Sequence, residues 1–105
     1  MNWISVAPVN QFPRGEYRVV DADGTQIAVF NVAGEFFAVE DICSHDGATL
    51  TGLPIEGDQV ICPRHGARFN VKTGAALCPP AYDTIERFPV QVANGVVQVR
   101  DHRWD

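Results

Sequence analysis

A chain of 105 residues holds one domain, 1–105. Its 46% hydrophobic and 20% charged residues exclude a disordered chain, and no apolar run approaches the length of a membrane span. A formal net charge of −5 argues against nucleic acid or an anionic membrane as partner; it favours a basic protein surface, or simply keeps the chain soluble. A chain of this size buries only about two-thirds of its unfolded surface, so a metal centre would add to its stability.

Turn signals recur about every ten residues, which predicts an all-β domain of many short strands. Residues 3–6 form a first strand, closed by Pro8. Pro13-Arg14-Gly15 is a turn. Residues 17–20 read as a strand, and Asp21-Ala22-Asp23-Gly24 as a hairpin turn. The β-prone run 25–32 follows, and Ala33-Gly34 turns it into 35–40, so that three strands make an antiparallel meander. A loop occupies 41–52. Short strands at 58–61 and 67–71 come next, with Lys72-Thr73-Gly74 as the turn that lets 75–77 pair back. The strands 58–61 and 67–71 with their return therefore read as a small β subdomain inserted between the strands of a base. Pro79-Pro80 opens an irregular stretch to Glu86. Residues 88–92, Asn94-Gly95 and 96–100 form the clearest hairpin, since Asn-Gly between β-branched residues favours a type I′ turn. Residues 102–105 are predicted to be an exposed tail with a solvated His102, although Trp104 is able to pack on the base.

Two short segments carry the chemistry, Cys43-Ser44-His45 and Cys62-Pro63-Arg64-His65. Each supplies one thiolate donor and one imidazole donor, and sixteen residues separate them. A Cys2His2 set fits two metal centres. A structural zinc takes all four donors on one tetrahedral ion. A [2Fe–2S] cluster with mixed ligation takes both Cys on one iron and both His on the other. Zinc-finger patterns usually place Cys with Cys and His with His. Here each segment carries one of each, so each loop is able to reach both irons. His45 runs into Asp46-Gly47-Ala48 and His65 into Gly66-Ala67, small residues that let backbone N–H groups approach cluster sulfurs. The third cysteine, Cys78, leaves no even disulfide framework, which fits a reducing compartment. The start, Met1-Asn2-Trp3-Ile4-Ser5, has no basic region and no long apolar stretch, so the expectation is a soluble, cytoplasmic protein.

Cys-x-His followed by Cys-x-x-His, with Gly after the second His, resembles the signature of the Rieske family. The likeness spans residues of about 17–100 and is anchored by the two motifs. It implies a β-sandwich base carrying a smaller cluster-binding subdomain, about 41–80. It implies one [2Fe–2S] cluster per chain, with Cys43 and Cys62 as thiolate ligands and His45 and His65 as neutral imidazole ligands of the outer iron. Pro79-Pro80 resembles the proline-containing loop that covers the cluster in this family. Two Fe(III), two sulfides and two thiolates sum to zero charge, two units less negative than an all-Cys cluster. That places such centres at about −150 to +300 mV. Respiratory members carry a disulfide between positions matching Ala48 and Arg64, and hydroxyl donors at positions matching Ala67 and Phe69. All four features are missing here, which predicts a potential near the bottom of that range.

The length and the missing disulfide match the ferredoxins of aromatic-ring dioxygenase systems within this family. By that resemblance the chain is a one-electron carrier, with no catalytic residues of its own. Its partners would be a flavin-containing NAD(P)H ferredoxin reductase and a terminal non-haem iron oxygenase, visited as a monomer. Two other readings stay open, the small subunit of an NAD(P)H nitrite reductase and a zinc-stabilised interaction domain. Cys78 reads as a small buried hydrophobe near the proline loop. Glu40, Asp41, Asp46, Glu56 and Asp58 form a candidate acidic docking rim, cut by Arg64 and Arg68.

Overall fold

The computed structural model describes residues 3–44, 47–64 and 66–104, with Trp104 described by its backbone alone. Among these residues nine strands follow in order: β1 (Ile4–Pro8), β2 (Tyr17–Ala22), β3 (Thr25–Val32), β4 (Glu35–Glu40), β5 (Gln59–Ile61), β6 (Arg68–Asn70), β7 (Arg87–Phe88), β8 (Val90–Ala93) and β9 (Val96–Val99). They build a four-stranded sheet in the order β2-β3-β4-β7, a three-stranded sheet β1-β9-β8 and a two-stranded sheet β5-β6. The all-β reading holds, and no helix among the described residues is long and apolar enough to cross a membrane.

The β3 strand explains the arrangement. Its sequence, Thr-Gln-Ile-Ala-Val-Phe-Asn-Val, is apolar without the usual alternation, and residues Ile27 to Val32 are all buried. A strand of that kind has both faces covered. Ile27 and Val29 point into a lower core with Phe12, Ala38, Phe88, Val97 and Val99, where the four-stranded sheet meets the three-stranded one. Ala28, Phe30 and Val32 point the other way, into an upper core with Val39, Leu50, Val60, Phe69 and Ile85. The inserted subdomain sits on this upper face.

Turn chemistry sets the registers. Asp23-Gly24, Ala33-Gly34 and Asn94-Gly95 each join two antiparallel strands, with φ of 55°, 53° and 53° at the first residue of each pair. Positive φ at both central residues is the type I′ geometry, whose twist matches that of the strands. The first hairpin turn is thus two residues long, and Asp21 and Ala22 belong to β2 rather than to the turn.

Two expectations are corrected. The predicted strand 88–92 is two strands, because β7 pairs with β4 and β8 pairs with β9. Pro89 lies between them. It has no N–H to donate to a ladder, so the chain changes sheets there, while its carbonyl accepts from the Arg100 N–H at 3.3 Å. In the tail Arg103 is exposed as expected, but its side chain is held. Asp101 is buried and accepts from Arg103 Nε and Nη2, both at 2.9 Å. The Arg103 guanidinium also lies 5.0 Å from the centre of the Phe88 ring. Its pKa is raised, chiefly by the hydrogen bond with Asp101. The expected solvation of His102 is partial, since its ring meets Phe88 edge-on and Nε2 lies 3.6 Å from the Glu86 carboxylate.

Candidate metal centre

The β4 strand delivers the chain to the first cysteine through Asp41. The Asp41 N–H donates to the Gln26 carbonyl at 2.8 Å, which fastens the start of the loop to β3. Its carboxylate accepts from the N–H of Leu50 at 3.1 Å, the N–H of Thr51 at 2.8 Å and the hydroxyl of Thr51 at 2.9 Å. One side chain thus closes a ten-residue loop from the inside. Asp41 is 9% exposed, so it is a brace and not a member of an acidic rim. Asp41→Ala leaves two backbone donors without their acceptor, one of them fully buried. Urea denaturation is expected to show a loss of about 3 kcal/mol, and a smaller one for Asp41→Asn, which keeps an acceptor oxygen.

The two cysteine loops are built alike. The Cys43 N–H donates to the Ala48 carbonyl at 2.8 Å, and the Gly47 N–H donates back to the Cys43 carbonyl at 2.8 Å. In the second loop the Cys62 N–H donates to the Ala67 carbonyl at 2.8 Å, and the Gly66 N–H to the Cys62 carbonyl at 3.0 Å. Gly47 has φ of 76° and Gly66 of 74°, a conformation that side chains resist. The same hydrogen-bonded turn therefore follows each cysteine, although one motif spaces its imidazole by two residues and the other by three. The sequence carries a signal for this that the motif reading passed over. Cys-x-x-x-Gly-Ala occurs twice, at Cys43 to Ala48 and at Cys62 to Ala67.

Cys43 and Cys62 are both buried, and both belong to the upper core beside Leu50, Val60 and Ala67. No two of the three cysteines are joined by a disulfide. His45, His65 and Asp46 lie outside the described residues, and without the two His no group of three or more His, Cys, Asp or Glu side chains comes together among the described ones.

A third loop joins the other two. Ser44, next to Cys43, donates its hydroxyl to the Asp83 carbonyl at 2.7 Å. The thiol of Cys78 lies 3.8 Å from the carbonyl of Gly66. Between these two points the chain passes through Pro79-Pro80, whose peptide bond is cis, and drops Ala81 into the upper core. Cys78 is half-buried, not the fully buried hydrophobe expected. The remaining acidic positions are engaged singly: Glu56 with Arg68 at 3.0 Å, Asp58 with Asn70 at 3.3 Å and Glu40 with Arg103 at 3.6 Å.

The family description of the Rieske [2Fe–2S] domain matches residues 2–89. The chain belongs to the Rieske family. It is 45% identical over 96 residues to the 3-phenylpropionate/cinnamic acid dioxygenase ferredoxin subunit of Escherichia coli (strain K12), covering 90% of each chain. Against the ferredoxin component of the naphthalene 1,2-dioxygenase/salicylate 5-hydroxylase systems of a Ralstonia species it is 36% identical over 99 residues, covering 94% of this chain and 95% of that one. Among solved structures it superposes on a chain from a complex of reduced oxygenase and oxidised ferredoxin in carbazole 1,9a-dioxygenase. The TM-score is 0.89 at 35% identity, over 93% of this chain and 92% of that one. By its family and its relatives this Rieske domain is a ferredoxin, an electron carrier rather than a catalyst. The group that defines the family is a [2Fe–2S] cluster.

Proposed function

We propose that this Rieske ferredoxin passes single electrons from a flavin-containing NAD(P)H reductase to a terminal non-haem iron oxygenase of the aromatic-ring dioxygenase type. It would do so as a monomer in the cytoplasm. Cys43 and Cys62 would hold one iron as thiolates, and His45 and His65 the other as neutral imidazoles. The observation that carries the reading is the repeated loop. Two buried thiols of one core each open the same hydrogen-bonded turn, and each turn includes one imidazole in sequence. Soft thiolates in an apolar setting and imidazoles on the same loops are the donor chemistry that a mixed-ligand cluster asks for. The cluster, when bound, takes up and gives up one electron. The residues around it set where that happens. Ala67 and Phe69 are fully buried and carry no hydroxyl to donate to sulfur, which favours a low potential.

Electron paramagnetic resonance on anaerobically purified protein, before and after dithionite, tests this with iron and zinc measured on the same sample. The expected result is silence when oxidised and an anisotropic signal of low average g on reduction. A redox titration is expected to place the midpoint near the bottom of the range of about −150 to +300 mV, and a value above about +100 mV contradicts the argument from the missing donors. A colourless, silent protein with one zinc per chain overturns the carrier reading.

A further inference from the structure

Among the described residues Tyr82 is the most exposed large hydrophobic side chain, at 80%, against 52% for Val92 and 44% for Leu77. A single exposed apolar residue is ordinary on its own. The setting of this one is not. Ala81 on one side is 3% exposed and sits in the upper core. Asp83 on the other side has its carbonyl held by the hydroxyl of Ser44. The backbone is pinned at both neighbours, so the ring is held outward by the fold and not released by a frayed loop. That loop is also tied to both cysteine loops, through Ser44 beside Cys43 and through Cys78 against Gly66. Electron transfer demands close approach to the cysteine loops. The loop that carries Tyr82 is tied to both of them, so a partner that comes down on the cysteine loops approaches this loop as well.

Resting on the carrier reading above, we infer that Tyr82 is an anchor for the terminal oxygenase. Its ring would enter an apolar recess on that protein, with the phenol at the wetter rim. A pre-positioned Tyr brings large contact area while only two torsions are frozen on binding, and central aromatics of this kind dominate interface energetics.

The test uses cluster-loaded protein, reduced stoichiometrically beforehand, with Tyr82→Ala and Tyr82→Phe beside the unaltered chain. Each is mixed with two oxidised acceptors in a stopped-flow instrument. One is cytochrome c, a general one-electron acceptor. The other is the purified terminal oxygenase of the 3-phenylpropionate/cinnamic acid dioxygenase system, whose ferredoxin subunit is 45% identical to this chain. With the oxygenase, Tyr82→Ala is expected to raise the half-saturating concentration about tenfold or more at an unchanged limiting rate. Tyr82→Phe should stay near the unaltered chain. Thermal midpoint, cluster spectrum and cytochrome c reduction should not move, since the side chain touches little of its own fold. An unchanged half-saturation for Tyr82→Ala overturns the anchor, as does an unaltered chain that reduces cytochrome c but not the oxygenase; both leave the carrier reading standing. An equal loss in Tyr82→Phe shifts recognition to the hydroxyl and overturns the apolar recess. Failure to reduce cytochrome c as well overturns the carrier reading itself.

Discussion

Cys62→Ala is expected to purify as a colourless protein with negligible iron and acid-labile sulfide, while Cys78→Ser keeps the full cluster and its colour. The two variants remove the same functional group from the same small domain, so the contrast isolates ligation from general thiol chemistry. Cys62 is buried at the base of one of the matched loops, and its backbone closes that loop in both directions. Cys78 is half-buried, outside the repeated turn, and its thiol lies 3.8 Å from the Gly66 carbonyl. The thermal consequence should be large as well. Metal binding contributes directly to folding free energy, and the cluster would cross-link the two cysteine loops. A domain of this length shifts by about 4–8 °C per kcal/mol, so a loss of more than about 10 °C in Tm is expected for Cys62→Ala by scanning calorimetry. Retained iron in Cys62→Ala would remove Cys62 from the ligand set.

Gly74→Ala should be nearly as damaging, although it lies outside the cysteine loops. Gly74 follows β6 in the turn that returns the chain toward the third loop, at φ of 78°. An added Cβ there would overlap the carbonyl oxygen of Ile85, a backbone atom that has no rotamer by which to withdraw. The Ile85 N–H donates to the Gly74 carbonyl at 2.9 Å, so the two segments cannot separate without breaking that bond. Left-handed backbone costs an alanine about 1–2 kcal/mol, and the lost hydrogen bond adds about 1 kcal/mol. With the displacement of the segment, a total of about 3–4 kcal/mol is expected in urea denaturation. Gly57→Ala is the control. Its φ of 62° is also left-handed, but nothing lies within 4 Å of the added atom, so only the backbone term of about 1–2 kcal/mol should appear. Equal losses at the two sites would show that conformation, not the close approach of Ile85, governs Gly74.

Much of this was legible in the sequence because it is written locally. The β2-β3-β4 meander follows from an apolar run and two Gly turns, and the Asn94-Gly95 hairpin from its dipeptide. The pairing of Ala75 and Leu77 back onto β6 is also present, through the Asn70 N–H to Ala75 carbonyl bond and the Leu77 N–H to Arg68 carbonyl bond. What escaped is non-local. Asp41 in sequence is one acid among several flanking a loop. Only the fold brings Leu50 and Thr51 round to it, nine and ten residues later. The hold on Arg103 in the tail 102–105 escaped because the Asp101–Arg103 pair is legible only once Phe88 and Glu40 are in place to receive the guanidinium. The sheet change at Pro89 was available in principle, since proline inside a predicted strand argues for a break. The repetition of Cys-x-x-x-Gly-Ala was also available. The unequal spacing of the histidines drew attention away from it.

The two-sided burial of β3 has a consequence for how the molecule comes apart. Its Ile27 and Val29 belong to the sandwich, and its Ala28 and Phe30 to the core beneath the cysteine loops. Neither half is able to melt while leaving this strand dressed on both sides. The base and its insertion are thus thermodynamically one cooperative unit, with the slowest-exchanging amides in the shared wall. The end that carries the cysteine loops is thereby kept from loosening independently of the base.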